Sequence, residues 1–251
     1  MQDRYTRNFI YLNEETQTSL KDFRIVFGGV GLGSVIAESA LRLGFERFLL
    51  IDGDTVEESN LNRQNYTLTD VDKTKVEAIR DRLLAINPNA QVETFAGYLT
   101  PDNLGDFLQP GDLAINALDF DTDAPFAFDA HCKKLGIPVV HPFNFGWATA
   151  AYVVTPESED VASLYGPEAR FEFPLIDDML LKLEKMGVGP VTGLKQLRQE
   201  YPKYLPASPP QLTVGATLAA GLTTSLLFQL ATGQQVDTFP KPYYLSTETM
   251  V

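Results

Sequence analysis

The chain has 251 residues, 44% of them hydrophobic and 21% charged, and its 20 Lys and Arg stand against 33 Asp and Glu for a net charge of −13. That composition suits a globular α/β core, while so negative a surface repels phosphate backbones and argues against a nucleic-acid partner. A single cysteine, Cys132, excludes an intrachain disulfide framework and a cysteine-rich zinc site, and the polar start MQDRYTRN lacks the apolar run of a secretory leader, so a cytoplasmic protein is expected.

Residues 24–28 (RIVFG) form an apolar run ending in glycines, and an apolar-periodic stretch from Leu32 to Leu43, closed by Gly44, follows it. This predicts strand, tight turn and helix. FLLID (48–52) predicts a second strand, and Lys73–Ile86 a helix with Val76, Ile79, Leu83 and Ile86 on one face, stopped before Pro88. Val92–Phe95 reads as the third strand. After a turn at Pro101-Asp102 and a short helix to Leu108, LAINAL (113–118) reads as the fourth. Ala124–Leu135 reads as a helix and IPVVH (137–141) as the fifth strand. Strands alternating with helices predict an α/β fold: a doubly wound, Rossmann-like, mostly parallel sheet with ligands at the C-terminal ends of its strands.

The remainder departs from that rhythm. Trp147–Val154 reads as a strand turning away from the nucleotide half, extending the sheet with antiparallel pairing. Residues 156–210, with one amphipathic helix near Leu175–Met186, cross over the open face of the sheet. The apolar stretch Leu212–Leu230 is broken by Gly215, Thr217, Gly221, Thr223, Thr224 and Ser225. A spanning helix needs about 20 nearly uninterrupted apolar residues, so a buried core helix is expected and no membrane span. PYYLS (242–246) reads as a closing edge strand. No clean linker appears, so residues 1–251 are read as one domain: a nucleotide-binding half (1–155), a crossover (156–210), and a C-terminal helix with edge strand (211–251).

Four features bear on chemistry. GGVGLGS places Gly28, Gly29, Gly31 and Gly33 between strand and helix, where a backbone without side chains approaches a phosphate and the helix N-terminus offers N–H groups. A strict G-x-G-x-x-G fails, with Val30 or Ser34 at the positions that break it, and glycines serving only a tight turn remain an alternative. In IDGDTVEESNLNRQ, both Asp52 and Asp54 stand where an acid holds a ribose hydroxyl. Asn60, Arg63 and Gln64 follow; a guanidinium between amides suits a triphosphate through bidentate bonds, against the alternative of a surface base in an acidic loop. Lys75 opens a helix, against the helix dipole, which an anionic ligand would explain, with a solvated lysine as the alternative. Asp119 ends the fourth strand, where a carboxylate can hold Mg²⁺ together with a ligand's phosphates; an acidic loop with Asp121 and Asp123 is the plainer account.

Together these stretches resemble the ThiF/MoeB/HesA family, relatives of ubiquitin-activating enzymes. RYTRN (4–8) is similar to the family's RYxRQ, GGVGLGS to its glycine loop, and LLIDGDTVEESNLNRQ to its most distinctive stretch. KVEA with NPN (87–89), NALDF (similar to DxxDN) and HCKKLGIPVV (131–140) continue the match over roughly residues 4–155. The resemblance implies an ATP-dependent adenylyltransferase. Asp54 would take the ribose, Asn60, Arg63, Gln64 and Lys75 the triphosphate region, and Asp119 Mg²⁺ held via ATP. Arg7 would reach the ATP of a partner subunit in a homodimer. The substrate implied is the C-terminus of a ubiquitin-like sulfur carrier or a peptide.

The departures are Val30 for a usual glycine, Phe120 for the Asn of DxxDN, and the absence of the following Arg, of two zinc-binding CxxC pairs and of a catalytic cysteine. No zinc is expected. Cys132 falls at a helix position used for packing, and His131 and His141 show no partner pattern and are read as structural. Adenylation of a small carboxylate or of a modified tRNA nucleoside, an NAD-dependent oxidoreductase, and a non-catalytic nucleotide-binding protein are the alternatives. The oxidoreductase explains the glycines and Asp52 but not Asn60-x-x-Arg63-Gln64, Lys75 or RYTRN.

Overall fold

The computed structural model describes residues 3–164, 171–205 and 208–249. Seven strands form one sheet: β1 (Arg24–Gly28), β2 (Arg47–Ile51), β3 (Gln91–Phe95), β4 (Leu113–Asn116), β5 (Val139–Asn144), β6 (Ala148–Val154) and β7 (Tyr243–Ser246). Their order is β3-β2-β1-β4-β5-β6-β7, parallel through β5 and antiparallel from β5 to β7. The fold is the Rossmann-like α/β arrangement expected from the alternation of elements.

β1 and β2 each bury four of five residues, because a parallel strand covered on both faces reads as one apolar run. Successive strand residues then point to opposite layers. Ile25, Phe27, Phe48, Leu50 and Ile115 pack with α2 (Gly31–Leu43), α3 (Lys75–Ile86) and α7 (Thr213–Ala231). Val26, Leu49, Ile51, Ala114 and Val139 pack with α4 (Ala124–Leu135), α5 (Glu172–Lys185) and α6 (Thr192–Glu200). α2, which follows β1, and α4, which follows β4, thus cover opposite faces. The strand order switches between β1 and β4, and a crevice for ligands opens at their C-terminal ends.

The largest differences from the sequence reading are two strand ends and two unread helices. Other ends, such as that of the helix expected from Lys73 and starting at Lys75, shift by a few residues. β4 stops at Asn116 rather than 118, because the Asn116 side chain turns to donate to Pro125 O and Asp129. β5 continues past His141 to Asn144. Its pairing with β4 ends at Val140, so Pro142, which has no N–H, breaks no bond to β4. α6 and the short α1 (Glu14–Ser19) were not read, both being polar and brief. Parts of the 156–210 crossover lie outside the described residues. α7 is long and apolar enough by composition to cross a membrane, but it packs against α2, β5 and β6 with Ala216, Ala219, Leu226 and Leu227 buried.

α2 and α3 are joined by a charge cluster. Glu38, 8% exposed, accepts from Arg42 Nε at 2.9 Å, from Asn65 Nδ2 at 2.9 Å and from Arg82. Burial works against its charge, but the Arg82 and Arg42 hydrogen bonds hold its carboxyl below the usual glutamate range. Glu38→Gln is expected to cost about 1–2 kcal/mol at neutral pH, measured by urea unfolding. A depressed folded-state value stabilises above the unfolded one, so the loss should fade as pH falls below about 4.3.

A candidate nucleotide site

The glycine turn joins β1 to α2. Gly29 has φ +88°, and a Cβ there would lie 2.5 Å from Ala117 O, so only glycine fits. A Cβ at Gly28 would stand 3.3 Å from Leu118, at Gly33 3.2 Å from the Phe27 ring and at Gly31 3.1 Å from Gln64 Nε2. Val30 has φ −116°, which any residue adopts, and its side chain is fully buried. Its N–H donates to Asp52 Oδ2 at 2.8 Å, and its carbonyl accepts from Tyr66 Oη at 2.7 Å. The valine therefore anchors the turn rather than disturbing it. α2 begins here with no side-chain cap, leaving its dipole end open to the crevice.

The two acids after β2 divide their work. Asp52 accepts from the N–H groups of Val30 and, at 2.9 Å, Asp54, so it ties the acidic loop to the glycine turn; burial pushes its carboxyl up. Asp54 accepts 2.8 Å bonds from Lys75 Nζ and Tyr98 Oη. Burial opposes its charge, but the Lys75 and Tyr98 bonds prevail and hold it below the usual range. Lys75, at the start of α3, is only 8% exposed. Its charge is met by Asp54, a partner the sequence reading did not foresee.

Arg63, half-buried, donates through Nε to Gln211 Oε1 at 2.9 Å and through Nη1 to Asn62 Oδ1 at 2.7 Å and Ser59 O at 3.1 Å. Desolvation lowers its pKa while Asp119 raises it. Asn60 is buried and shapes the loop: its Oδ1 accepts from Glu57 N and its carbonyl from the N–H groups of Arg63 and Gln64. Gln64 lies over the side-chain-free face of Gly31, and its Oε1 is buried without a partner.

Asp119 sits in the loop after β4, exposed at the mouth of the crevice. Although solvent reaches the residue, the protein crowding its carboxyl and the neighbouring Asp121 raise it above the usual range, Lys75 draws it down, and Asp54 and Asp52 add to the rise. Asp52, Asp54 and Arg63 from the β2–α3 connection, Lys75 at the start of α3 and Asp119 from the loop after β4 thus form one electrostatic unit. Phe120 packs against Phe126 and Phe171, with ring centroids 5.7 and 4.3 Å away, walling the far side of the loop.

The donor set fits a magnesium nucleotide. A side-chain-free Gly31, a helix start without a side-chain cap and two cations suit phosphates. Asp119 presents one hard-oxygen carboxylate in the loop after β4. That pattern suits a cation shared with a ligand's oxygens.

Arg7 stands apart. It is exposed in the 3-10 turn Asp3–Asn8, which is fixed to the C-terminal end of α2 by Tyr5 Oη to Leu41 O at 3.2 Å and Asn8 Nδ2 to Leu43 O at 3.2 Å. The glycine turn is at the other end of that helix, about 18 Å away at 1.5 Å per residue.

Three features escaped the sequence. Tyr98 and Gln211 touch Asp54 and Arg63 from 44 and 148 residues away, contacts no local pattern encodes. His141, read as structural, has a contact the sequence did not show: its Nε2 lies 2.9 Å from Asp129 Oδ1, which also accepts from Asn116 Nδ2 at 2.9 Å. This network clips the start of α4 to the end of β4 and so fixes both ends of the Asp119 loop. Cys132 is fully buried in α4, and burial pushes its thiol up, keeping it protonated.

A ThiF family model matches residues 5–248. The chain is 36% identical over 117 residues to a tRNA threonylcarbamoyladenosine dehydratase of Escherichia coli, covering 46% of this chain and 43% of that protein. It is 37% identical over 121 residues to a sulfur carrier protein adenylyltransferase of Thermus thermophilus, covering 47% and 45%. These alignments span less than half the length of either relative. Among solved structures, Escherichia coli MccB with ATP matches with a TM-score of 0.71 at 19% identity, over 98% of this chain and 69% of that one.

Proposed function

Because the chain belongs to the ThiF family, we propose that it binds Mg·ATP in the crevice between β1 and β4 and adenylates a carboxylate. The observation that supports this most is the single electrostatic unit of Asp54, Lys75, Arg63 and Asp119 beside an uncapped helix end. Glycines alone would suit a dinucleotide equally; the two cations Arg63 and Lys75 suit the greater charge of a triphosphate. We read residues 1–251 as one adenylation domain.

In this reading Asp54 receives the ribose, and Asn60, Gln64 and the glycine turn shape the phosphate cradle. A carboxylate oxygen of the acceptor attacks the α-phosphorus; the bond to the β-phosphate bridging oxygen breaks and pyrophosphate leaves. Arg63 and Lys75 meet the charge that develops, and Asp119 would hold Mg²⁺, which would supply further neutralisation. Isothermal calorimetry with Mg·ATP and with NAD tests the cofactor. Tighter binding of ATP is expected, and tighter binding of NAD would sink the proposal.

The acceptor we favour is the C-terminus of a ubiquitin-like carrier protein or a peptide, in keeping with the sulfur carrier adenylyltransferase among the relatives. A modified tRNA nucleoside, suggested by the dehydratase, suits a chain of net charge −13 less well. No thioester step is assigned to Cys132. Cys132→Ser is expected to cost stability by burying a hydroxyl, but folded protein should keep pyrophosphate exchange within about twofold of wild type, since the residue lies away from the site. A reducible acceptor adduct trapped on Cys132 would contradict this. We further place Arg7 in the partner's site of a homodimer, next to the exposed Phe9 (57%), Ile10 (85%) and Tyr11 (86%), an apolar surface that an interface would cover.

A further inference from the structure

The loop after β3 brings a tyrosine to the acid that the proposed function assigns to the ribose. Tyr98 is 67% exposed, yet its ring lies against Gly53, where Cε1, Cζ and Cε2 stand 2.6–2.7 Å from the position a Cβ would take. Its hydroxyl donates to Asp54 Oδ1 at 2.8 Å, while Oδ2 is turned to the buried Lys75. Oδ1 is therefore the oxygen that a ligand arriving from solvent meets, and a phenol already sits on it. The backbone beneath is held independently of the ring: Asn103 Nδ2 donates to Tyr98 O at 3.1 Å and Thr100 N to Asn103 Oδ1 at 2.8 Å.

We propose that Tyr98 is a placeholder for the ribose: its hydroxyl occupies on Asp54 the hydrogen-bonding position that a ribose hydroxyl takes, and a bound nucleotide displaces it. The inference rests on the assignment of Asp54 to the ribose. A side chain so exposed, held at its tip by one hydrogen bond, leaves at little cost, and until then it keeps Asp54 aligned with Lys75. The ring can swing clear without moving the turn, because nothing in the turn's own hydrogen bonds depends on it.

The test compares Mg·ATP with Mg·2′,3′-dideoxy-ATP by calorimetry on the full chain and on Tyr98→Phe. The phenylalanine keeps the ring on Gly53 and removes only the competing hydroxyl. ATP should bind the variant about three- to tenfold more tightly, the scale of one hydrogen bond that no longer has to be broken. The dideoxy nucleotide, which has no hydroxyl for Asp54, should bind both proteins alike. Unchanged or weaker ATP binding by Tyr98→Phe overturns the placeholder, and so does equal tightening of both nucleotides, which would put the hydroxyl in the way of base or phosphate instead. Should the unaltered protein bind no ATP, the ribose assignment and the placeholder fall together, an outcome distinct from the other two.

Discussion

Asp119→Asn is expected to lower acceptor-dependent pyrophosphate exchange into ATP by about a thousandfold, the upper end of what one positioned charge-stabilising contact supplies to a transition state. The substitution removes one negative charge and almost no volume, at an exposed position whose side chain makes no hydrogen bond among those between described residues. The fold should therefore survive, with thermal stability equal to wild type or slightly higher. The sign follows from the raised carboxyl: desolvation and Asp121 push it up, so its ionised form weakens the folded state once pH exceeds the folded value. Neutral asparagine relieves that at pH 7. An acceptor-free measurement separates metal binding from chemistry. In wild type, ATP affinity should rise with Mg²⁺, and in Asp119→Asn that dependence should be lost. Full exchange activity in the variant would remove Asp119 from the mechanism.

How much of this was legible in the chain itself depended on the range of the forces involved. Elements set by a local apolar period were read closely: α4 was expected at Ala124–Leu135 and lies there, and β1 was expected at 24–28 and lies there. Where a side chain or a neighbouring strand decides the boundary, the reading slipped. Asn116 ends β4 early because its amide bonds to Pro125 and Asp129, and β5 runs through Pro142 because β4 is no longer beside it. The proposed site divides the same way. The glycine turn and the acids follow two adjacent parallel strands of one βαβ unit, so their juxtaposition was readable. That Asp52 belongs to the turn and Asp54 to Lys75 was not, since it depends on which carboxylate the backbone N–H groups of Val30 and Asp54 reach. Gln211 on Arg63 and Tyr98 on Asp54 join segments that only the folded sheet brings together.

Equal amounts of inactive Arg7→Ala and inactive Asp119→Asn, mixed under conditions of subunit exchange, are expected to recover about a quarter of wild-type activity. The reason is distance. Arg7 is fixed to the C-terminal end of α2 through Tyr5 and Asn8, while the glycine turn is at its N-terminal end, about 18 Å off along the axis and well beyond an arginine's reach. If Arg7 serves a nucleotide site at all, that site belongs to another copy of the chain. A two-fold dimer then holds two equal composite sites, each with one subunit's Asp119 and the other's Arg7. Either substitution alone breaks both sites. In a mixed dimer, one site joins intact Asp119 to intact Arg7 and the other lacks both. Random reassortment makes about half the dimers mixed, each with one working site of two, which gives the quarter. Were Arg7 to act within its own chain, every mixed dimer would hold two broken sites and the mixture would stay inactive. Verified exchange without recovery therefore refutes the arm in trans, and a chain that sediments as a monomer at assay concentration does so before any mixing.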